Sequence, residues 1–478
     1  MRPRVLALWF AFVLLFAACG GGGGGGTTAG GELPDCPVTA LDTATEPVEV
    51  VVWHTQQAKP LETLEALVDR YNGSQSRVRV RLESQGASYE ELQRKFEAAV
   101  PSRQLPGVVV FDDTATQTMA DSGVILPAQT CIDADGYDTS GFLQVAKNYY
   151  TIDDVLWPGS ANLGNALLYY NKGHFAQAGL DPDAPPRTLA EVRTAAEQIK
   201  AAGVVENPVV HEFASWKTEF WLTGAQAPMV DNDNGRGTGE TVAGTFTDNA
   251  DALDLFTWFK GMQSDGLLRA IPHTPGQIDQ YLAVANRQAS MLVESSSSAT
   301  SVEAFLGGNL DTSELGASEA AQDVSGLDIG ASVLPGLKEG GGTQMGGAAW
   351  YLTSTTPAEV QAGAWDFVKF MNSPEAQAEM LLGGSYLPYV LAANDLPAVQ
   401  QFYAGGLSGR WLKIANDEVQ AIDPSFPGPL IGPYYDFRRA VETAQDELML
   451  GGATPDAALR QAQDGVTDAL ERYSQEDF

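Results

Sequence analysis

Glu49-Val50-Val51-Val52-Trp53 opens the run that decides the fold. Leu61, Leu64, Leu67, Val68 and Tyr71 follow it, then Val78, Val80 and Leu82, then Tyr89 to Val100, and finally Gly107-Val108-Val109-Val110-Phe111. The first and last segments are short continuous apolar runs, as strands buried on both faces require. The second repeats its apolar residues at the helical period, and the third alternates with period two. Strand, helix, strand, helix, strand is the order of a mostly parallel sheet covered by helices.

The alternation returns downstream. Ala166-Leu167-Leu168-Tyr169-Tyr170, Met291-Leu292-Val293, Ile329 to Leu334 and Ala349 to Leu352 read as strands. Leu189 to Ala202, Ala250 to Gln263, Pro357 to Asn372, Pro374 to Leu382, Phe437 to Leu450 and Pro455 to Tyr473 read as helices. At 478 residues the chain exceeds one ordinary core, so an α/β fold in two lobes is expected.

Hydrophobic residues make up 44% of the chain, with nine Trp, 15 Tyr and 19 Phe, which excludes a disordered protein. The 61 acidic residues against 28 basic give a net charge of −33, a field that repels nucleic acid and anionic head groups. The acids are scattered, as on a solvated surface.

Residues 1–19 read as an address rather than as structure. Arg2 and Arg4 precede an apolar run from Val5 to Ala18, too short for a spanning helix and right for a secretory signal. Ala17-Ala18-Cys19 then resembles a lipoprotein cleavage site, with Cys19 the lipidated residue. Seven glycines, Gly20 to Gly26, begin a flexible tether and extension over 20–46. Taking Cys19 for lipid leaves Cys36 and Cys131, an even pair in an oxidising compartment and so a candidate disulfide.

Catalytic signatures are missing. The four histidines, His54, His174, His211 and His273, share no zinc spacing, and no Gly-x-Ser-x-Gly elbow accompanies them. Asp112 and Glu294 are the carboxylates a glycosidase reading would pair, but spacing does not set them across a cleft. Asp231-Asn232-Asp233-Asn234-Gly235 starts like a calcium loop, yet Arg236 and Val242 occupy its sixth and twelfth positions, so a polar hairpin turn is the better reading. A non-enzyme with no cofactor and no metal is expected.

Leu168-Tyr169-Tyr170-Asn171-Lys172, continuing through Ala178-Gly179-Leu180-Asp181-Pro182 and Pro185-Pro186-Arg187-Thr188, resembles family 1 extracellular solute-binding proteins. Val52-Trp53-His54, Gly346-Gly347-Ala348-Ala349-Trp350 and Gly384-Ser385-Tyr386-Leu387-Pro388 fall in that family's order, over about residues 47 to 475. The resemblance implies a two-lobed periplasmic-binding-protein-like fold of type II with an interlobe cleft. Lobe 1 is expected at 47–161 and 289–345, and lobe 2 at 162–288 and 346–478. The hinge is expected near Gly159–Asn165 and Ala285–Met291. The implied function is that of the substrate-binding lipoprotein of an ABC importer, a monomer held by its lipid on the outer face of the cytoplasmic membrane. It would capture a sugar or related polyol and deliver it to the permease subunits. A glycerol-3-phosphate or glycerophosphodiester ligand is the alternative, and a surface sensor or adhesion protein on the same fold is the second.

Carried over residue by residue, the contacts of the family's glycerol-phosphate branch fall on Tyr89, on Phe213 and Trp216 for a tryptophan pair, on the Ser295–Ser298 run (Ser296 and Ser298), on Gly346 and Gly347, on Tyr386, and on Asp112 or Asp113. Two departures matter. The phosphate-holding arginine falls on Pro433, with Arg438 and Arg439 as nearby substitutes, and a contacting serine falls on Leu163 or Gly164. Loss of a cation from a dianion site removes a bond worth about 1.5–3 kcal/mol, which favours a neutral polyol.

The residues carry their own argument. A sugar needs aromatic faces for its C–H patches and carboxylates for its hydroxyls. Trp216, in a polar stretch after an apolar one, fits the first need, as do Tyr89 and Tyr386. Asp112 and Asp113 end an apolar strand, where open α/β sheets place their crevice; one reaches the cleft and the other caps the next helix. Glu294 either accepts sugar hydroxyls or forms an ion pair at the lobe interface. Trp53 and His54 end the first strand, where core packing competes with ligand contact. Tyr434 and Phe437 belong to the pocket wall or to packing.

Overall fold

The computed structural model describes residues 33–274, 277–309, 324–339 and 342–475. The signal segment, Cys19 and the tether up to residue 32 lie outside the described residues. Among those described, the strands up to the first crossing are β1 (Val48–His54), β2 (Val78–Ser84), β3 (Val108–Asp112), β4 (Ile125–Leu126), β5 (Thr151–Ile152), β6 (Val155–Leu156) and β7 (Ser160–Gly164). Then come β8 (Ala166–Asn171), β9 (Val209–Glu212), β10 (Leu268–Ile271), β11 (Met291–Ser295), β12 (Ile329–Val333) and β13 (Gly346–Thr353).

They form two principal sheets. The first runs β2-β1-β3-β13-β4, with β7 also pairing β13; the second runs β10-β9-β11-β8-β12. β1 pairs β2 and β3 in parallel, as the strand–helix–strand reading requires, while β13 runs antiparallel to β3, Ala348 facing Asp112. Val50, Val52 and Val108 to Phe111 are completely buried. Each such side chain contributes roughly 1.5–3 kcal/mol of hydrophobic stabilisation.

The second sheet is also buried on both faces. Leu168 and Tyr170 of β8 enter a core with Phe213, Phe256, Phe259 and Phe437. Leu167 and Tyr169, pointing the opposite way, join the larger core with Trp411 and Trp350. Helix starts follow local rules: Ser88 caps Tyr89–Ala99, and Thr188 with Glu191 forms a capping box on Leu189–Ala201.

The expected lobe division is corrected. β11 and β12 flank β8 in antiparallel register, so the sheet of residues 289–345 belongs to the second lobe. β13 belongs to the first, because Gly346–Trp350 pairs with β7 and Ala348–Leu352 with β3. The helices Ala358–Met371 and Pro374–Gly384 pack on β1 and on Ala58–Ser74 and stay with it. Tyr434–Asp446 and Pro455–Tyr473 return to the second lobe, against Ser215–Gly224 and Ala250–Ser264. The chain crosses between sheets at Asn165, inside the expected hinge segment, and again between Val333 and Gly346. Ala285–Met291 enters β11 within the second lobe and is no crossing.

A disulfide joins Cys36 to Cys131 and pins the N-terminal extension to the helix Ala128–Asp135 of the first lobe. At residues 231–243 the polar turn is present: Asp231 accepts from Val242 N and Ala243 N at 2.9 and 3.2 Å. No helix among the described residues is long and apolar enough to cross a membrane.

Candidate functional site

Asp112 stands at the C-terminal end of β3, where its strand hands over to a short helical turn. Its Oδ1 accepts from Thr114 N at 3.0 Å and from Thr114 Oγ1 at 2.5 Å, so it caps the following turn. The same carboxylate faces the opposite lobe: Arg438 Nη1, on the helix Tyr434–Asp446, lies 3.2 Å from each of its oxygens. Asp112 therefore both caps and reaches the cleft, where one duty each was expected of Asp112 and Asp113.

Asp113 turns inward. It accepts from Tyr149 Oη at 3.0 Å and from Gly347 N at 3.0 Å. Burial, then the adjacent Asp112 charge, push its carboxyl well above the usual carboxylate range. Gly347 can make this contact only as glycine: its φ is +127°, and a Cβ there would lie 1.9 Å from Asn162 O.

The first lobe supplies Tyr89 near these carboxylates and Tyr386 next to Tyr89. Tyr386 Oη donates to Gln56 Oε1 at 2.8 Å, and Tyr89 lies next to Tyr386 and Thr55. Burial, followed by the charges around it, pushes the Tyr89 phenol up, so it stays a neutral donor and acceptor. From the second lobe comes Tyr435, whose surroundings include Asp112, Arg438, Glu90 and Tyr89. Its hydroxyl is buried and has no hydrogen-bond partner among the described residues.

Trp216 sits in the first turn of a helix, Ser215–Gly224, rather than in a polar loop. Half-buried, it packs edge-on against Phe220 at 5.2 Å, with Lys217 Nζ 5.3 Å from its ring centroid. Phe220 in turn lies over Gly346, where a Cβ would come within 2.6 Å of its ring. The structure thus brings together Tyr89, Tyr386, Asp112 and Asp113, and links Trp216 to Gly346 through Phe220.

Other expected contacts go elsewhere. Phe213 is in the core of the second lobe, edge-on to His211 at 4.6 Å and Phe259 at 5.3 Å. Trp53 Nε1 donates to Glu83 on the neighbouring strand at 2.9 Å, and buried His54 accepts from Gln56 N at 3.2 Å. Ser296 accepts from Asn165 N at 3.0 Å and stitches the crossing. Glu294 forms the ion pair rather than a free acceptor, but within one lobe: Lys217 Nζ is 2.6 Å away, and Tyr281 Oη donates at 3.0 Å. Tyr281 also reaches Ser298 Oγ at 3.0 Å. Beside that pair opens a mostly apolar recess of about 260 Å³ between Ala58, Tyr169, Leu292 and Phe305, whose lining also includes Tyr281, Ser298 and Ser301.

Sequence reading missed Glu219 and Lys217, both fully buried on the helix Ser215–Gly224. Charged residues inside the apolar run Trp216 to Leu222 were the available signal, since such charges are buried only when paired. Among the described residues no group of three or more His, Cys, Asp or Glu side chains is arranged to hold a metal ion.

Two α/β lobes, a strand crossing between them, and aromatic and carboxylate groups from both lobes meeting at strand ends define a solute-binding protein. Residues 66–403 match the family model described as bacterial extracellular solute-binding protein, and the chain belongs to that family. It is similar to the sn-glycerol-3-phosphate-binding periplasmic protein UgpB of Rhizobium meliloti (strain 1021), 28% identical over 364 residues, covering 74% of this chain and 78% of that one. UgpB of Yersinia pseudotuberculosis is 24% identical over 447 residues, covering 89% and 93%. Among solved structures, UgpB from Mycobacterium tuberculosis in complex with glycerophosphocholine superimposes with a TM-score of 0.72 at 18% identity, covering 90% of this chain and all of that one. The GacH receptor of Streptomyces glaucescens, solved unliganded and with acarbose, gives 0.70 at 18%, covering 89% and 99%. The family and these relatives are binding proteins, and the fold is that of the two-lobed periplasmic binding proteins.

Proposed function

We propose that this chain is the substrate-binding lipoprotein of an ABC importer and captures a sugar or related polyol between its lobes. It works as a monomer without catalysis, held outside the cell by lipid on Cys19, and hands its solute to the permease. One observation supports the ligand class above the rest. Tyr89 and Asp112 from one lobe neighbour Tyr435 from the other, whose buried phenol hydroxyl has no hydrogen-bond partner among the described residues. A neutral hydroxyl, donor and acceptor at once, is the group that satisfies it.

The relatives named for glycerol 3-phosphate and glycerophosphocholine favour a phosphorylated ligand as the second reading. Against it stand Pro433 at the matching arginine position and two carboxylates on the nearest cleft cation, Arg438.

A thermal-shift screen over neutral sugars, polyols and glycerophosphodiesters decides between them. A neutral ligand at a hundredfold excess over its Kd stabilises by about 2.7 kcal/mol and raises the midpoint accordingly. Stabilisation by phosphorylated compounds alone would replace this reading with the second. Trp216→Ala is expected to weaken the identified ligand by about tenfold, the value of one aromatic contact, measured by titration calorimetry.

A further inference from the structure

Arg438 is the guanidinium nearest the cleft acceptor, and its charge is already matched. Nε and Nη2 donate to the two Glu219 oxygens at 3.0 and 3.1 Å, a fork-to-fork pair, while Nη1 addresses both Asp112 oxygens at 3.2 Å. Tyr434 Oη donates to the same Glu219 carboxylate at 3.1 Å. Glu219 has no exposed side-chain surface, and Asp112 and Arg438 keep 11% and 14%. One cation against two carboxylates leaves the group with a net negative charge.

We propose that Arg438 is a specificity-determining residue, which fixes Asp112 as an acceptor for solute hydroxyls and bars phosphorylated solutes from the cleft. The inference rests on the sugar-type reading and says how that selectivity is built. The forked Nε/Nη2 face, the one that would grip a phosphate bidentately, is committed to Glu219, so a phosphate could take that face only by drawing it off this carboxylate. Glu219 would then keep its charge in a dry site with Tyr434 as its remaining donor, an outcome that buried ion pairs resist strongly. A hydroxyl asks for no such exchange. Asp112 Oδ1 already receives Thr114 N, Thr114 Oγ1 and Arg438, but among the described residues Oδ2 receives Arg438 alone, and a carboxylate oxygen has room for a second donor. The arrangement also spans the lobes, since Asp112 belongs to the first sheet and Arg438 and Glu219 to the second lobe. The acceptor is therefore complete only when the lobes meet.

The test is calorimetric titration of the full chain with glycerol 3-phosphate, inorganic phosphate and the neutral compound that stabilises it best. Wild type is expected to bind the neutral compound and neither anion. Glu219→Gln removes one of the two matching charges and is expected to raise affinity for glycerol 3-phosphate or phosphate by at least about tenfold. Arg438→Met is expected to lower neutral affinity by about tenfold and to gain no anion binding. If Glu219→Gln does not fold, Arg438→Lys keeps the charge without the fork and is expected to narrow the preference for neutral over phosphorylated probes; an unchanged preference overturns the proposal. Anion binding by wild type that Arg438→Met abolishes also overturns it, yet leaves a solute-binding protein standing. Failure of every neutral compound to bind would overturn the sugar reading itself.

Discussion

Lys217→Met is expected to destabilise the second lobe by about 3–5 kcal/mol. Lys217 has no exposed side-chain surface, and its ammonium lies 2.9 Å from Glu212 and 2.6 Å from Glu294. Burial alone would lower its pKa, but the two carboxylates outweigh burial and raise it. The reciprocal effect appears on Glu212: burial pushes its carboxyl up, while Lys217 and His273 together bring it down to about 2. Methionine fills the volume without the charge. Among the described residues Glu212 then retains His273 alone, and Glu294 retains the Tyr281 hydroxyl at 3.0 Å with Gln280 and the Ser295 amide. Removing one member of a buried pair costs about 3–5 kcal/mol, a large part of the roughly 5–15 kcal/mol of a folded domain. Urea unfolding followed by tryptophan emission measures it as a lower midpoint at constant m. Adding Glu294→Gln should restore about 1 kcal/mol or more, since a neutral amide needs no counter-charge. A loss below about 1 kcal/mol with unchanged m, or no rescue by the second substitution, would refute the claim that this chain of charges is electrostatically tied.

Three further outcomes can be measured. Glu418 is buried beside the crossing residue Asn165, whose Nδ2 donates to it at 2.8 Å, and burial lifts its carboxyl from 4.5 to about 8. A raised carboxyl binds its proton better folded than unfolded, so its stabilising contribution is complete below pH 4.5 and is lost as pH climbs through 8. Glu418→Gln should flatten that decline, by an upper limit of about 5 kcal/mol at alkaline pH, in midpoints scanned from pH 5 to 9. Gly347→Ala places a Cβ against Asn162 O at a φ of +127°, and is expected to cost about 1–3 kcal/mol from the backbone alone and to weaken solute binding. Cys36→Ser opens a loop closed over 95 residues and should cost about 4–5 kcal/mol on chain-entropy grounds, the loss vanishing when wild type is compared under reducing conditions.

The strands that carry the sheets were legible because burial leaves continuous apolar runs, as in Val108–Phe111, and because the helices between them keep a clean period. Pairing was not legible. Nothing local tells Met291–Ser295 that it will lie antiparallel to Ala166–Asn171, so residues 289–345 fall in the second lobe and Gly346–Gly384 in the first, the reverse of the expectation. The helix Ser215–Gly224 hid for a related reason. Its Lys217 and Glu219 look like surface charges until partners 77 residues and 219 residues away arrive to bury them. Tyr89, Tyr386 and Asp112 are expected in a site from motif order, whereas Arg438 meets Asp112 across 326 residues, and only folding makes that pair.

That pair also explains how a cleft contact could influence closure. Asp113, next to Asp112, accepts from Gly347 N, and Gly347 pairs with Leu163 in β7, two residues before the crossing at Asn165. Asn165 is held on its far side by Ser296 and Glu418. A solute that draws Asp112 toward the second lobe therefore pulls on a strand pair whose end is the crossing itself. Strand geometry resists stretching, so such a load is relieved by rotation at Asn165 more readily than by distortion of either sheet. Ligand contacts shift the open–closed equilibrium only to the extent that they are stronger in the closed form. Asp112 satisfies that condition, because its Arg438 partner is supplied by the opposite lobe. Tyr89 and Tyr386 do not, since both stand on the lobe of Asp112 and are available whether or not the cleft is shut. The tyrosines should therefore govern how tightly a solute first settles, and the Asp112–Arg438 contact how fully the lobes close upon it.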